Sequence, residues 1–200
     1  SGPAVTQYAI QIAQGTKLSK ITALTNDLAL ALAAPGQIRI EAPIPGRSLV
    51  GIEIPNRSPE FVTVRKILET DAIQTSKSKL TVALGLDVSG SPKIADLTKM
   101  PHILIAGSTG SGKSVAINAF LTSLLCRNSP SELKLILVDP KRVELSLYNG
   151  IPHLLTPVVV EVDKVLSALK WAISEMERRY KLFASVGVRN IEGYNELAGF

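Results

Sequence analysis

The chain has 200 residues, 46% of them hydrophobic and 20% charged, a balance that excludes intrinsic disorder and predicts one large globular domain or two modest ones. Its net charge of +5 is spread evenly over both halves, so the composition favours a polyanionic partner only slightly. No apolar run reaches the ~20 residues of a membrane-spanning helix, and the chain opens without an initiator methionine or a signal peptide, so we expect a soluble piece of a longer protein.

The first 56 residues predict a small α+β unit. Alternating side chains predict a strand over 5–12, and leucine and isoleucine residues three and four apart predict one helix over 17–34, which a Pro-Gly pair ends. Two short strands are predicted over 37–42 and 48–54, separated by a turn that contains two prolines and a glycine.

Residues 57–100 are mixed in character. We expect a short capped helix over 58–70 and a strand over 79–88 that ends in a turn rich in serine and glycine. The pattern changes after Met100 to strand, loop, helix, strand.

Two continuous apolar runs, over 102–107 and 133–139, predict strands, and the predicted helix between them, over 115–127, is apolar nearly all round. Strands and helices without a polar face are typical of a parallel sheet that is covered on both sides. Cys126 lies in this helix, and we expect it to be buried as a small hydrophobic side chain.

A long amphipathic helix is predicted over 163–185, with Asp163 as its cap and Gly187 at its end. Arg178 and Arg179 lie on its polar side. They are interpreted either as ordinary surface charge or as part of a subunit interface.

Residues 107–114 satisfy the pattern GxxxxGK[ST], between a predicted strand and a predicted helix. The glycines allow positive φ angles and bring backbone amides against phosphate oxygens, at the positive end of the helix. Lys113 would reach the β and γ phosphates of ATP as a catalytic residue, and the Ser114 hydroxyl would bind Mg²⁺. The alternative is an ordinary glycine-rich turn before a buried helix. The predicted nucleotide-binding residues are Gly107, Ser108, Thr109, Gly110, Ser111, Gly112, Lys113, Ser114 and Val115.

A phosphate loop predicts that the protein binds a nucleotide, but it does not indicate what the protein does with that nucleotide. A regulatory GTPase would carry an [NT]KxD segment and a transporter ATPase an LSGGQ-like signature, and the sequence contains neither. His102 and His153 have no cysteine or carboxylate at metal-ligand spacing, so neither suggests a metal site.

Asp139 ends the second apolar run, at the edge of a parallel sheet where α/β proteins bind ligands. Three interpretations stay open for it: a catalytic Mg²⁺ ligand, another role in an active site or subunit interface, or a turn former at the strand end. Lys141 and Arg142 follow it, and this pair would either face a phosphate or a neighbouring subunit, or form a solvated turn.

Long strings in the sequence resemble the FtsK/SpoIIIE family of DNA translocases over essentially the whole chain. GPAVTQYAIQIAQGTKLSKITALTNDLALALAA with IRIEAPIPGRSLVGIEIPN resembles the α subdomain that precedes the motor in that family. MPHILIAGSTGSGKSVAINAFLTSLL resembles its P-loop segment, and LILVDPKRVELSLYNGIPHLLTPVV with WAISEMERRY resembles the first part of its β subdomain. The resemblance implies an α/β fold: a small α+β subdomain over 1–95, then a RecA-like P-loop NTPase core with a parallel sheet over 96–200, incomplete at its C-terminus.

The resemblance also implies an ATP-driven motor that assembles as a homo-hexameric ring around double-stranded DNA and acts in chromosome partition and cell division. In that family membrane helices lie upstream, which implies the cytoplasmic face of the bacterial inner membrane, with no membrane contact by this piece itself. The family's Walker B element, its DNA-contacting loops and the arginine supplied to a neighbouring site lie further along than Phe200. We therefore expect nucleotide binding, with little hydrolysis or translocation by this chain alone.

Two other functions are alternatives to a DNA motor: an assembly module and a small-molecule phosphotransferase. The chain could act mainly as an assembly module, in which 1–95 makes subunit contacts and binds no ligand. A small-molecule phosphotransferase would need a lid and substrate carboxylates after the phosphate loop, and nothing in the sequence supplies them.

Overall fold

The computed structural model describes residues 1–199, and its elements divide between two units, Ser1–Arg127 and Asn128–Phe200. The strands of the described residues are β1 (Val5–Ile10), β2 (Arg39–Glu41), β3 (Val50–Pro55), β4 (Thr81–Leu86) and β5 (Pro92–Asp96). The α-helices are α1 (Leu18–Thr22), α2 (Thr25–Ala31), α3 (Val64–Leu68), α4 (Asp71–Gln74), α5 (Lys113–Arg127), α6 (Val162–Ser185) and α7 (Ile191–Ala198). The division into subdomains at residue 95 stays a prediction.

The first three strands form an antiparallel sheet in the order β1-β3-β2. Its register pairs Tyr8 with Ile52, and Ile52 in turn with Ile40, so that one face of the sheet is apolar. The next positions pair Gln7 with Glu53 and give the other face its polar side chains. Strands β1 and β2 lie within their predicted ranges, and β3 extends one residue beyond its range, to Pro55. An alternating pattern becomes a sheet where a neighbouring strand has the same period.

The single helix predicted over 17–34 is wrong: the structure has two short helices, α1 and α2. Side-chain hydroxyls compete with the helical backbone at the break, where Thr25 Oγ1 donates to Thr22 O at 2.7 Å and Thr22 Oγ1 to Ser19 O at 3.2 Å. Neither helix contains a buried residue, so packing does little to hold a longer helix together.

The core of the first unit surrounds Ile67, Ile73 and Ala83, which come from α3, α4 and β4. The predicted helix over 58–70 begins later than expected, at Val64, after Thr63 accepts a hydrogen bond from Lys66 N at 3.2 Å. The preceding residues are held in an extended path, since Glu60 N donates to Pro3 O at 2.7 Å. Strand β4 confirms the strand predicted over 79–88 and pairs antiparallel with β5.

The predicted strand over 102–107 is wrong: this segment joins no β-ladder among residues 1–199, and Leu104 is 91% exposed. An apolar run becomes a strand only where a neighbour supplies the backbone hydrogen bonds along its edge. The second predicted strand does pair in parallel, through isolated bridges from Leu135 to Leu154 and from Val138 to Val159.

Helix α6 confirms the long amphipathic helix, but Asp163 is not its cap. Glu161 precedes the helix and makes no capping bond with its side chain, while Asp163 lies inside the first turn. Gly187 ends the helix as predicted: it has φ +76°, its amide donates to Ala184 O, and Val188 N donates to Phe183 O at 3.0 Å. None of the helices in residues 1–199 is both long and apolar enough to cross a lipid bilayer.

Candidate phosphate-binding site

The loop before α5 bends through conformations that favour glycine. Gly110 and Gly112 have φ angles of +81° and +94°, in which any other L-residue would be strained. Gly107 has an ordinary φ, and an added Cβ there would force the Ser111 side chain to move, because it would collide with Ser111 Oγ. Ser111 N donates to Ser108 O at 3.1 Å and closes the turn between these glycines. Gly110 and Gly112 are therefore favoured by their φ angles, and Gly107 by its contact with Ser111.

This bend leads directly into the N-terminus of α5, which begins at Lys113. The first amides of a helix have no acceptor inside the helix and carry the positive end of its dipole. Residues 108–112, which lead into this terminus, are exposed, so an anion can reach the loop. The loop thus has the shape and charge of a phosphate cradle.

Lys113 crosses the loop, with its Nζ donating to Gly107 O at 2.9 Å. The ammonium is thereby held over the bend by a neutral carbonyl, and a phosphate oxygen forms a stronger, charge-assisted bond with the same group. Ser114 is half-buried in the first turn, where its carbonyl accepts from Asn118 Nδ2 at 2.9 Å. Val115 is exposed beside it. The structure brings the nine predicted nucleotide-binding residues together in one bend, and their roles toward a nucleotide stay predictions.

The far half of α5 is anchored by two polar side chains that sequence reasoning missed. Ser123 is fully buried, and its Oγ accepts from Ala83 N at 3.1 Å. Arg127 donates to three backbone carbonyls, at 2.6 Å to Ile73 O, 3.1 Å to Ser76 O and 3.0 Å to Ser78 O. Arginine near a helix C-terminus was the only sequence signal for this contact.

Cys126 is exposed, so the prediction that it is buried is wrong. The buried residues of α5 are Leu121, Ser123 and Leu124, which face β4 and its neighbours, and Cys126 lies outside that face. A helix that is apolar nearly all round does not reveal from its sequence which side will be covered.

Asp139 lies in the second unit and organises the backbone that follows it. The carboxylate is only 6% exposed; Oδ1 accepts from Arg142 N at 3.1 Å, and Oδ2 accepts from Glu144 N and Leu145 N, both at 2.9 Å. These amides, Leu145 first, lower the pKa of Asp139. Because both oxygens are engaged, the geometry favours the turn-forming interpretation, and a Mg²⁺-binding role stays a prediction.

The remaining candidates have ordinary partners. Arg178 and Arg179 both pair with Glu175, at 2.7 and 2.8 Å, and these two guanidinium groups lower the pKa of Glu175 to about 2. His153 is buried with Nε2 2.9 Å from Asn128 O, so Nε2 carries the proton. In the part of the chain that the structure describes, no three histidine, cysteine or acidic side chains are grouped to hold a metal ion.

Two family models match the chain: the FtsK alpha domain over residues 1–56 and the FtsK/SpoIIIE family over residues 63–199. The chain is 56% identical to the DNA translocase FtsK of Caldanaerobacter subterraneus subsp. tengcongensis, over 98% of this chain and 27% of that protein. It is 60% identical to the DNA translocase FtsK of Staphylococcus epidermidis and 55% identical to the DNA translocase SftA of Bacillus subtilis, covering 98% of this chain and 24% and 20% of those proteins. The chain thus spans about a quarter or less of the length of these relatives.

Among solved structures, the monomer form of the pCW3 conjugation coupling protein TcpA with ATPgS is similar, with a TM-score of 0.56 and 26% identity. The match covers 98% of this chain and 51% of that one. This likeness confirms the predicted fold class, an α/β P-loop NTPase core preceded by a small α+β subdomain.

Proposed function

The chain belongs to the FtsK/SpoIIIE family, and from this premise we propose that it is the nucleotide-binding part of an ATP-driven motor that moves double-stranded DNA. The observation that carries the proposal is the bend at residues 107–114, where two glycines with positive φ, a run of exposed residues and the Lys113 ammonium lie at the start of α5. This combination favours a polyphosphate over any neutral ligand.

Several groups of this chain would hold the nucleotide. The amides of the bend would bind the phosphate oxygens, and Lys113 would exchange its bond with Gly107 O for one with the β and γ phosphates. The Ser114 hydroxyl would contribute a ligand to Mg²⁺. When bound, ATP with Mg²⁺ supplies a phosphoryl group whose transfer depends on positioning and charge neutralisation.

We expect this chain to bind nucleotide with little turnover. The sequence contains no apolar strand that ends in Asp-Glu, the pair that the family resemblance assigns to the catalytic Walker B element. Asp139 is a weaker candidate for this role, since its two oxygens already accept three amides and a proline follows it. Binding and hydrolysis measured on the same sample separate these two parts of the proposal.

The decisive variant is Lys113→Ala. Removing the ammonium deletes a charge-assisted bond to phosphate, worth roughly 1.5–3 kcal/mol, so the affinity for Mg²⁺-ATPγS should fall by about ten-fold or more. Isothermal titration calorimetry measures this affinity. Lys170→Ala, which removes an exposed lysine of α6, is the matched control and should bind like the unaltered chain. An unchanged affinity in Lys113→Ala would contradict the proposed function.

The same family premise supports the proposed partners: double-stranded DNA, and further copies of the protein in a homo-hexameric ring. It supports a role in chromosome partition and cell division at the cytoplasmic face of the inner membrane. These statements concern a whole protein of this family. The relatives are far longer than the part that this chain matches.

A second candidate function, an assembly module without nucleotide activity, has one observation in its favour. Large hydrophobic side chains of residues 1–95 are exposed, among them Leu30 at 84% and Phe61 at 94%. Analytical ultracentrifugation distinguishes the candidates. Self-association that needs no nucleotide, together with no affinity for ATPγS, would favour the module over the motor.

A further inference from the structure

The segment after Asp139 presents two cations side by side. Lys141 and Arg142 are both exposed, and they follow directly on the parallel-paired segment that ends at Asp139. In α/β proteins, ligands bind at the carboxyl ends of parallel strands, so these cations lie at an edge where ligands are expected.

Arg142 is held in a backbone conformation that arginine does not favour. Its φ is +60°, in the left-handed region where glycine is the usual residue. Its amide donates to Asp139 O at 3.0 Å and to Asp139 Oδ1 at 3.1 Å. Glu144 and Leu145 add two more amides to the same buried carboxylate. The surrounding bonds therefore maintain a strained residue whose side chain is exposed.

The two cations have no counter-ion within residues 1–199. Neither side chain takes part in an ion pair there, whereas other exposed cations, among them Lys66, Lys93 and Lys164, do so. The acidic residues nearest in sequence are Asp139 and Glu144: the carboxylate of Asp139 accepts from three backbone amides, and Glu144 contributes its amide to Asp139. The backbone of Arg142 is strained, and its charge has no ion pair among residues 1–199. Together these two observations point to an anion outside the chain.

We propose that Lys141 and Arg142 form a second phosphate-binding element, separate in the chain from residues 107–114. Its ligand is a phosphate group, whose oxygens match the fork of the guanidinium and the point charge of the ammonium. The phosphate belongs either to a nucleotide or to the backbone of double-stranded DNA. This second element goes beyond the proposed function. It rests on that function only in naming a nucleotide and DNA as the two sources of the phosphate.

Arg142→Gly is the sharpest test. Glycine adopts φ +60° without strain, so this variant keeps the loop and removes only the cation. The midpoint of thermal unfolding should stay the same or rise, which shows that the fold is intact. Lys141→Gln removes the neighbouring charge at similar length. Arg189→Ala, which deletes an exposed arginine elsewhere in the second unit, is the matched control.

Each variant is titrated with Mg²⁺-ATPγS and, separately, with a short DNA duplex over a range of salt concentrations. A nucleotide source predicts an affinity for ATPγS about ten-fold lower in Arg142→Gly. A DNA source predicts unchanged ATPγS affinity and a plot of log K against log salt whose slope falls by about 1 for each lost contact.

If the unaltered chain binds a ligand that Arg142→Gly and Lys141→Gln bind equally well, with the same salt slope, the second element is disproved while the proposed function stands. If the unaltered chain binds neither nucleotide nor DNA, both are disproved. Equal losses in Arg189→Ala would show a general effect of net charge and would also overturn the element.

Discussion

Gly110, Gly112 and Arg142 all have positive φ angles, but only the two glycines adopt them without strain. A left-handed conformation costs an L-residue with a side chain roughly 1–2 kcal/mol, so its presence at Arg142 needs a compensating set of bonds. Asp139 supplies that set through its buried carboxylate. The glycines of the phosphate loop follow a recognised pattern in the sequence, whereas the sequence marks Arg142 only by its place after Asp139 and does not indicate its positive φ.

Asp139 should make the stability of the second unit depend on acid pH. Its pKa is lowered in the folded state, chiefly by the amides of Leu145 and Glu144, so the unfolded chain takes up a proton first as the pH falls. The stabilisation is complete above the unfolded pKa of about 3.9 and is lost as the pH falls below it toward the folded pKa.

The variant Asp139→Asn should unfold at a lower temperature at neutral pH, because an amide nitrogen cannot accept the bonds that one carboxylate oxygen accepts. Its thermal midpoint should also fall less between pH 5 and pH 3 than that of the unaltered chain, as about 3.9 lies in this interval. Asp27→Asn, which alters an exposed residue of α2, is the matched control. Parallel pH profiles for Asp139→Asn and the unaltered chain would contradict this prediction.

Among the elements, α5 joins the candidate phosphate-binding loop at its N-terminus to a cluster of backbone hydrogen bonds at its C-terminus. The phosphate loop lies at its N-terminus, and its C-terminus is held by Arg127 against the carbonyls of residues 73, 76 and 78. In the middle of the packed face, the Ser123 hydroxyl accepts a hydrogen bond from Ala83 N. The orientation of the helix, and with it the direction of the loop amides, depends on these contacts because a rigid helix transmits the position of one end to the other.

Arg127→Ala should destabilise the first unit by about 3 kcal/mol, since three buried or half-buried carbonyls lose a charged donor. Arg127→Lys should recover part of this loss, because an ammonium can donate to some of the three carbonyls but lacks the planar fork of arginine. Urea unfolding measures both.

The matched control for Arg127 is Arg65→Ala, which breaks only an exposed ion pair with Glu69 on α3 and should have a small effect. Hydrogen exchange adds a local test: the amides of residues 76–83 should lose protection in Arg127→Ala and keep it in Arg65→Ala. Equal destabilisation by the two alanine variants would show that the contacts of Arg127 do not hold α5.

For the whole molecule, the net charge of +5 and the family premise together predict weak DNA binding that is independent of base sequence. Contacts from lysine and arginine to backbone phosphates release counter-ions, so the affinity should fall linearly with salt on a double logarithmic scale. At physiological salt the dissociation constant should be on the order of 10 µM, within the range of non-specific binding.

Fluorescence anisotropy with two duplexes of unrelated sequence measures this affinity, and both should give the same constant and the same slope. A single-stranded oligonucleotide of equal length serves as the control for strand number and should give a shallower slope, because its charge density is lower. Binding that persists at high salt, or that prefers one duplex, would contradict the prediction.

The sequence by itself determined the features that depend on neighbours along the chain: the glycine-rich bend before α5, the course of α6 and its end at Gly187, and the three strands of the first sheet. Glycine conformations, helix periodicity and strand alternation act over a few residues, so their pattern can be read locally. The family relationship follows from the same local strings.

Only the tertiary structure decided what depends on partners far along the chain. Arg127 meets Ile73 across 54 residues and Ser123 meets Ala83 across 40, and no local pattern specifies such pairs. The exposure of Cys126 and the missing strand at 102–107 have the same origin. Whether a segment is covered or paired depends on which surfaces pack against it, and that is a property of the folded chain.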